Sequence, residues 1–422
     1  MTPTKHRRLR WVASISLGML LLAIALGWRF LSTRDLQPWQ FLAHVVQTEK
    51  AGVDDRSVQP LGWSLAILGR DDEVRQMDFY PQFERPPSTL DVGAKELSVV
   101  PWRDGIREIA AKHRIVMIME HHMVSKHREW IGATLPTFRN AGFTHYAAEA
   151  IGESGAALKR RGYPASETGL YTSDPKFGNE LRRALGLEFE ILGYDYGCCT
   201  HEAREEFAAT QLAKLFQNDA QTKLVVHAGH AHVLKYETEI GERWLASILW
   251  DKTGIEPFTL WQWSSQHDAR DYAEIVRVLT DRGVVLDEPV LLMPPPAGDF
   301  GFRDSPYGPD SAGRVDAIVI HPPDQSVAPA GRTTLFPDTM QRIAGEWTAK
   351  QWPVVVCAYS QGEPVEAIPL DQIMLRKDET QFVLWIPTGA EYELRVFNQH
   401  GLLESIVEYD DSSVSVGLAV SP

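Results

Sequence analysis

RIVMIMEHH, residues 114–122, is an apolar run that ends on a carboxylate and two imidazoles. The same event recurs three times along the chain. Thr144–Ala148 (THYAA) runs into Glu149, Phe189–Tyr194 (FEILGY) into Asp195, and Lys223–Val226 (KLVV) into His227, with His230 and His232 just beyond. Each run is short, apolar and followed by a helical pattern, the signature of parallel strands joined by crossover helices. The carboxyl ends of such strands face one crevice, which is where open α/β sheets bind ligands. Four polar endings are therefore expected to meet in one place.

The surrounding segments complete that pattern. Trp102–His113 is amphipathic, Ser125–Asn140 reads as a helix broken or kinked at Pro136, and Glu202–Gln217 as a long helix. Asp174 stands where an N-cap belongs, before Pro175 at the first helical position of a segment that runs to Leu185. Phe258–Trp263, Val290–Met293 and Ala317–His321 supply further strands. The expected fold class is α/β, a mostly parallel sheet with crossover helices over residues 95–325, preceded by an irregular lead-in at 35–94. Beyond 345 the runs Val354–Tyr359, Glu366–Leu375, Gln381–Ile386 and Glu391–Phe397 are short, strand-like and separated by turn chemistry. They suggest a small β-sandwich-like domain over 345–422, β-rich and with an accessory or packing role.

The N-terminus has a different character. Lys5, Arg7, Arg8 and Arg10 precede an uncharged stretch from Trp11 to Trp28, and no acidic residue occurs before Asp35. Residues 1–34 are expected to form an uncleaved transmembrane signal anchor, with a cleaved signal peptide as the alternative. The basic end places the anchor in the inner membrane as a single pass, with the bulk of the chain on the periplasmic or extracellular side. The 422 residues carry a net charge of −14, and removing the six cations of the head leaves −20 on the rest. That balance excludes nucleic acid and anionic lipid as partners of the outer portion. Cys198, Cys199 and Cys357 form no disulfide framework and no zinc knuckle, and read as buried apolar thiols.

Carboxylates and imidazoles in one crevice support two mechanisms. An imidazole paired with a carboxylate can act as general base on a water that attacks an ester, lactone or amide carbonyl of a small-molecule or peptide substrate. Alternatively the same groups hold a divalent metal whose bound water is the nucleophile. Spacing alone does not fix which imidazoles point inward. No Gly-x-Ser-x-Gly elbow and no Gly-rich phosphate loop are present, which disfavours a serine hydrolase and nucleotide chemistry.

The motifs MEHHMVSKHREW (119–130), YAAEA (146–150) and AGHAH (228–232) resemble the superfamily that joins erythromycin esterases, ChaN-type haem-binding proteins and Tiki metalloproteases. The resemblance covers roughly residues 95–265. It implies Glu120, His122, Glu149 and His232 as the catalytic set, with His122, Glu149 and His232 as ligands if a metal is bound. Met119 stands where that superfamily usually has Gly, and a side chain there is expected to narrow the pocket. His121, His127, Arg128, Asp195, His227 and His230 form a second tier, Arg128 as a clamp for an anionic substrate group. With the N-terminal anchor, the resemblance implies a membrane-anchored, periplasm-facing hydrolase of ester, lactone or amide bonds. Its alternatives are a haem- or metal-binding protein without turnover, with Tyr146, Tyr171, Tyr194 or an imidazole toward haem iron, and an inactive interaction scaffold of the same fold.

Overall fold

The computed structural model describes residues 36–77, 97–195, 200–219, 221–235, 243–265, 269–294, 300–302, 313–323, 330–347, 351–377 and 379–406. Its centre is an eight-stranded sheet. The strands are β1 (Ser98–Pro101), β2 (Ile115–Glu120), β3 (His145–Ala148), β4 (Glu190–Gly193), β5 (Leu224–Gly229), β6 (Phe258–Trp263), β7 (Val290–Met293) and β10 (Ala317–Ile320), in the order β1-β7-β10-β6-β2-β5-β3-β4. A short pair, β8 (Phe300–Phe302) and β9 (Gly313–Val315), lies between β7 and β10 in sequence.

The sheet is mixed, which corrects the expectation of a mostly parallel one. Neighbours from β10 to β4 run parallel, but β7 is antiparallel to both β10 and β1. Between β7 and β10 the described residues hold only the short antiparallel pair β8 and β9.

Alternation along β2 shows how both faces are covered. Ile115, Met117 and Met119 pack with Ala209 and Leu212 of α8 (His201–Asn218), Leu249 of α9 (Leu245–Thr253) and Ile275 of α10 (Ala269–Asp281). Val116 and Ile118 face the other way. They join Ile106 of α4 (Trp102–Lys112), Leu135 of α5 (Ser125–Asn140) and Leu181 of α7 (Pro175–Gly186). Met119 is therefore a core side chain. Helix α5 is one element through Pro136 rather than two.

The lead-in is not irregular where it is described. It forms α1 (Pro38–Ala51), α2 (Val58–Ile67) and the single turn α3 (Asp71–Val74), while residues 78–96, including its Pro-rich part, lie outside the described residues. Toward the C-terminus, β14 (Asp371–Leu375), β13 (Val354–Ser360), β16 (Tyr392–Asn398) and β17 (Gly401–Ile406) make an antiparallel sheet; β11 (Ala330–Gly331), β15 (Gln381–Pro387) and β12 (Met340–Glu346) make a mixed one, β11 parallel and β12 antiparallel to β15. Strand β13 alternates between two cores. Val354, Val356 and Ala358 meet Phe382, Leu384 and Ile386 of the second sheet, whereas Val355, Cys357 and Tyr359 meet Leu42 of α1 and Leu65 of α2. Cys357 is a buried thiol, and Cys198 and Cys199 lie outside the described residues.

Among the described residues no helix is long and apolar enough to cross a membrane. The stretch Trp11–Trp28 lies outside them. The expected anchor, its inner-membrane partner and the single-pass periplasmic placement that followed from it are accordingly withdrawn.

Candidate active site

The strand ends do converge, and each contributes according to its side of the sheet. Glu120 closes β2 on the α5/α7 face. Its Oε1 lies 2.7 Å from His122 Nδ1, and its Oε2 accepts from Arg128 Nε at 2.8 Å. Arg128, one turn into α5, also donates to the His122 carbonyl at 2.8 Å and to Asp174 Oδ2 at 2.7 Å. Arg128 and Asp174 are fully buried and Glu120 nearly so. Burial acts to raise the Glu120 carboxyl, but Arg128, His122 and His227 outweigh it and hold the group below the usual carboxylate range.

Asp174 caps α7 as its position before Pro175 suggests, accepting from Lys176 N at 2.9 Å. It does more than cap. Its two oxygens divide between Arg128 and Arg332, the latter at 2.8 Å from a residue that follows β11. Arg332 donates in turn to the carbonyl of Ile67 at 2.7 Å and to that of Ala66, at the end of α2. A buried chain thus links Glu120 to the N-terminal helices and the C-terminal sheets.

The other half of the site lies across β5. Glu149 Oε2 accepts the Gly229 N–H at 2.7 Å, and its Oε1 accepts from Arg204 at 2.5 Å. His232 Nε2 is 3.5 Å from Glu149 Oε1, while His232 Nδ1 is 2.9 Å from Glu205 Oε2. Burial acts to lower the His232 imidazole, but Glu205 and Glu149 override it and push its pKa up to about 10. Burial likewise opposes ionisation of Glu149, and His232, His122 and Arg204 reverse that, keeping it well below the ordinary value. The two carboxylates thus favour the protonated form of His232.

Gly229 joins the halves. A Cβ there would lie 2.5 Å from His122 Cε1, 2.8 Å from His122 Nε2 and 2.8 Å from Glu149 Oε2. The missing side chain is what lets the His122 ring and the Glu149 carboxylate approach one another. The His122 ring is 18% exposed and stacks on Tyr171 with centroids 4.0 Å apart and planes 11° from parallel. Its remaining nitrogen, Nε2, lies against Gly229 at the end of β5.

Of the second tier, His227 and Asp195 have defined supporting positions. His227 is buried beneath Glu120, its Nε2 3.9 Å from Glu120 Oε1 and its Nδ1 3.0 Å from Glu180 Oε1, with Tyr146 OH at 3.1 Å. Asp195 grips Arg204 through two contacts of 2.7 and 2.8 Å. His121 and His127 serve the turn: the His121 N–H donates to His127 Nδ1 at 3.1 Å and the Met123 N–H to His121 Nδ1 at 3.2 Å. His230 packs edge-on against His121 at 4.5 Å, with a positive φ of 28° that few non-glycine residues adopt. Arg128, named as a substrate clamp, is fully buried and donates to Glu120, Asp174 and the His122 carbonyl.

Of the ligand set expected for a divalent metal, His232 has its Nδ1 2.9 Å from Glu205 Oε2 and its Nε2 3.5 Å from Glu149 Oε1. Among the described residues no group of three or more His, Cys, Asp or Glu could hold a metal ion. Each tyrosine named for haem iron already has a partner. Tyr146 OH is bound to Glu180 and Tyr194 OH to the His227 carbonyl, while Tyr171 lies flat on His122 with its phenol pushed up by burial, Glu149 and Glu120.

Sequence reasoning missed Arg204, Glu205, Glu180 and Arg332, and it gave Tyr171 no place beside His122. Arg204 and Glu205 had a usable signal: they occupy the first turn of the helix after a strand ending, the place where Arg128 stands on α5.

No family model matches the chain, and no curated protein matches it in sequence. Among solved structures, the type III effector HopBA1 is similar at 13% identity over 52% of this chain and 93% of that one, with a TM-score of 0.30. RRSP, a MARTX toxin effector domain from Vibrio vulnificus, gives 14% identity over 49% and 44%, with a TM-score of 0.29. The C-terminal region of Pasteurella multocida toxin, described as having a thiol-protease-like catalytic triad, gives 11% over 48% and 30%, with a TM-score of 0.28. The chain spans 36% of another bacterial protein toxin that it matches. TM-scores this low carry no argument about fold or function.

Proposed function

We propose that this crevice is a hydrolytic site acting on an ester, lactone or amide carbonyl, with His122 as general base. The observation that carries the reading is the Glu120–His122 pair. A carboxylate held ionised by a buried arginine accepts the Nδ1 proton, which fixes the tautomer and leaves the lone pair on Nε2. A water hydrogen-bonded to Nε2 would lose its proton to His122 as it attacks the carbonyl carbon.

The charge that develops on the carbonyl oxygen needs a cation already in place. His232 supplies one, and its Nε2–H is only loosely engaged at 3.5 Å from Glu149. Collapse of the tetrahedral intermediate returns the proton from His122 to the leaving group. The motif resemblance to erythromycin esterases and Tiki proteases supports the same assignment of Glu120, His122, Glu149 and His232. Trials on chromogenic esters, lactones and unstructured peptides test it. The expected result is turnover of one class by the wild type that His122→Ala abolishes while the far-UV spectrum and melting temperature stay unchanged. Equal turnover by His122→Ala would overturn it.

A further inference from the structure

Three neighbouring strands each send a polar side chain to the α5/α7 face beneath the crevice: Glu120 on β2, His227 on β5 and Tyr146 on β3. Glu180 and Phe177 of α7 cover them, Phe177 stacking on the His227 ring with centroids 4.5 Å apart and planes 22° from parallel. All of these side chains are buried. Tyr146 OH donates to Glu180 Oε1, and His227 Nδ1 lies 3.0 Å from that oxygen and 3.1 Å from Tyr146 OH. Both neighbours offer lone pairs there, so Nδ1 carries a hydrogen.

The other ring nitrogen decides the charge. His227 Nε2 is buried, has no hydrogen-bond partner among the described residues and lies 3.9 Å from Glu120 Oε1. A bare lone pair opposite a buried carboxylate oxygen is repelled, whereas an N–H is attracted. Glu180 makes the same demand, since among the described residues its ion-pair partner is His227. Burial acts to lower the His227 imidazole, but Glu180 and Glu120 outweigh it and raise its pKa, with Arg128 opposing them.

The crevice holds two imidazole–carboxylate pairs, and they differ in what stands behind the carboxylate. Behind Glu205 is the Leu245 N–H at 2.8 Å, and His232, between Glu205 and Glu149, is drawn to its protonated form. His122 likewise stands between Glu120 and Glu149. Behind Glu120, however, are two cations, Arg128 at 2.8 Å and His227 at 3.9 Å, and Arg128 is shared with Asp174. A carboxylate whose charge is answered from behind draws less strongly on the proton in front of it. We propose that His227 is a positioning residue: as an imidazolium paired with Glu180 it is the second cation behind Glu120, and it tempers the hold of Glu120 on His122, so that this imidazole serves as a base where His232 serves as a cation. The inference rests on the hydrolytic reading for the use made of that base.

Diethyl pyrocarbonate reacts with unprotonated imidazole nitrogen, so peptide mass spectrometry of the treated full chain reads His122 without any substrate, fragment ions separating it from His121. At about pH 6, His227→Gln is expected to slow carbethoxylation of His122 at least about threefold relative to the wild type, and at about pH 8 the rates should converge, because the lost cation raises the proton affinity of His122. Glu180→Gln should act in the same direction, since it removes the carboxylate that holds the proton on His227. Equal or faster reaction of His122 in either folded variant at about pH 6, or a slowing that persists at about pH 8, overturns the proposal. In the hydrolytic assay the acid limb of kcat/KM should move to higher pH in His227→Gln. A wild type without turnover whose His122 still responds to both variants overturns the hydrolytic reading and supports the placement of charge at His227.

Discussion

Glu149 and Gly229 meet across the β3–β5 boundary: the glycine N–H donates to the carboxylate at 2.7 Å, and a Cβ on that glycine would stand 2.8 Å from the same oxygen. The position demands hydrogen rather than methyl for reasons of space, since Gly229 has an ordinary negative φ of −72°. Gly229→Ala should push the His122 ring and Glu149 apart by a few tenths of an ångström or more. A misplacement of about 1 Å at reacting groups costs roughly 10²-fold in turnover, and a smaller one proportionately less. The groups displaced are side-chain ends, so the melting temperature should change little. Kinetics and thermal melts on the same preparation check both halves.

Glu120→Gln removes the charge that orients His122 while keeping the shape. An amide can donate to Nδ1 and so favours the wrong tautomer. The expected loss in turnover is roughly 10³–10⁴-fold, the scale seen when a catalytic imidazole loses its orienting carboxylate. Stability should also fall, because Arg128 keeps only Asp174 as a charged partner in a fully buried setting; breaking such a pair costs about 3–5 kcal/mol. Urea denaturation measures the second effect separately from the first.

Local pattern made half of this site legible. Strands ending in Glu120, Glu149, Asp195 and His227 announce themselves because an apolar run stops on a polar residue. The sheet then brings those endings together whatever the helices do. Arg204 and Glu205 stayed hidden because HEAREEF reads as a solvated helix start, and nothing local says that one turn of it faces a neighbouring strand end. Arg332 and Asp174 were still less accessible: they are 158 residues apart, and only tertiary packing makes them partners. The antiparallel edge was missed because strand patterns do not encode direction.

Arg332 gives that last point a measurable form. It is fully buried and joins Asp174 to the end of α2, so it ties three segments to the carboxylate that serves Arg128. Arg332→Met should cost about 3–5 kcal/mol by leaving Asp174 short of one counter-charge and two carbonyls short of donors. Combining it with Asp174→Asn should cost less than the sum of the single changes, because each removes the other's partner. A double-mutant cycle in urea that proved additive would sever the link.

The His232 imidazolium makes stability depend on alkaline pH. Its folded-state pKa is about 10 against an ordinary value of 6.5, so folding is favoured by a bound proton that the unfolded chain gives up earlier. The contribution is fully present below about pH 6.5, falls as pH rises beyond it, and is gone above about pH 10. Glu149 works in the opposite sense: its depressed pKa stabilises the fold above the unfolded carboxylate value, and that contribution is lost as pH falls through the folded one. Between them lies a plateau near pH 5–6.5 in which both charges are held. Replacing His232 by Gln should therefore flatten the alkaline limb of a plot of melting temperature against pH between 6.5 and 10, while the wild type declines across it. It should also lower turnover at every pH, because the crevice loses its cation, whereas Glu205→Gln should keep a weakened imidazolium and move the alkaline limb to lower pH. An alkaline limb left in place by His232→Gln would show that another group titrates there and that the Glu205–His232–Glu149 array is not charged as described.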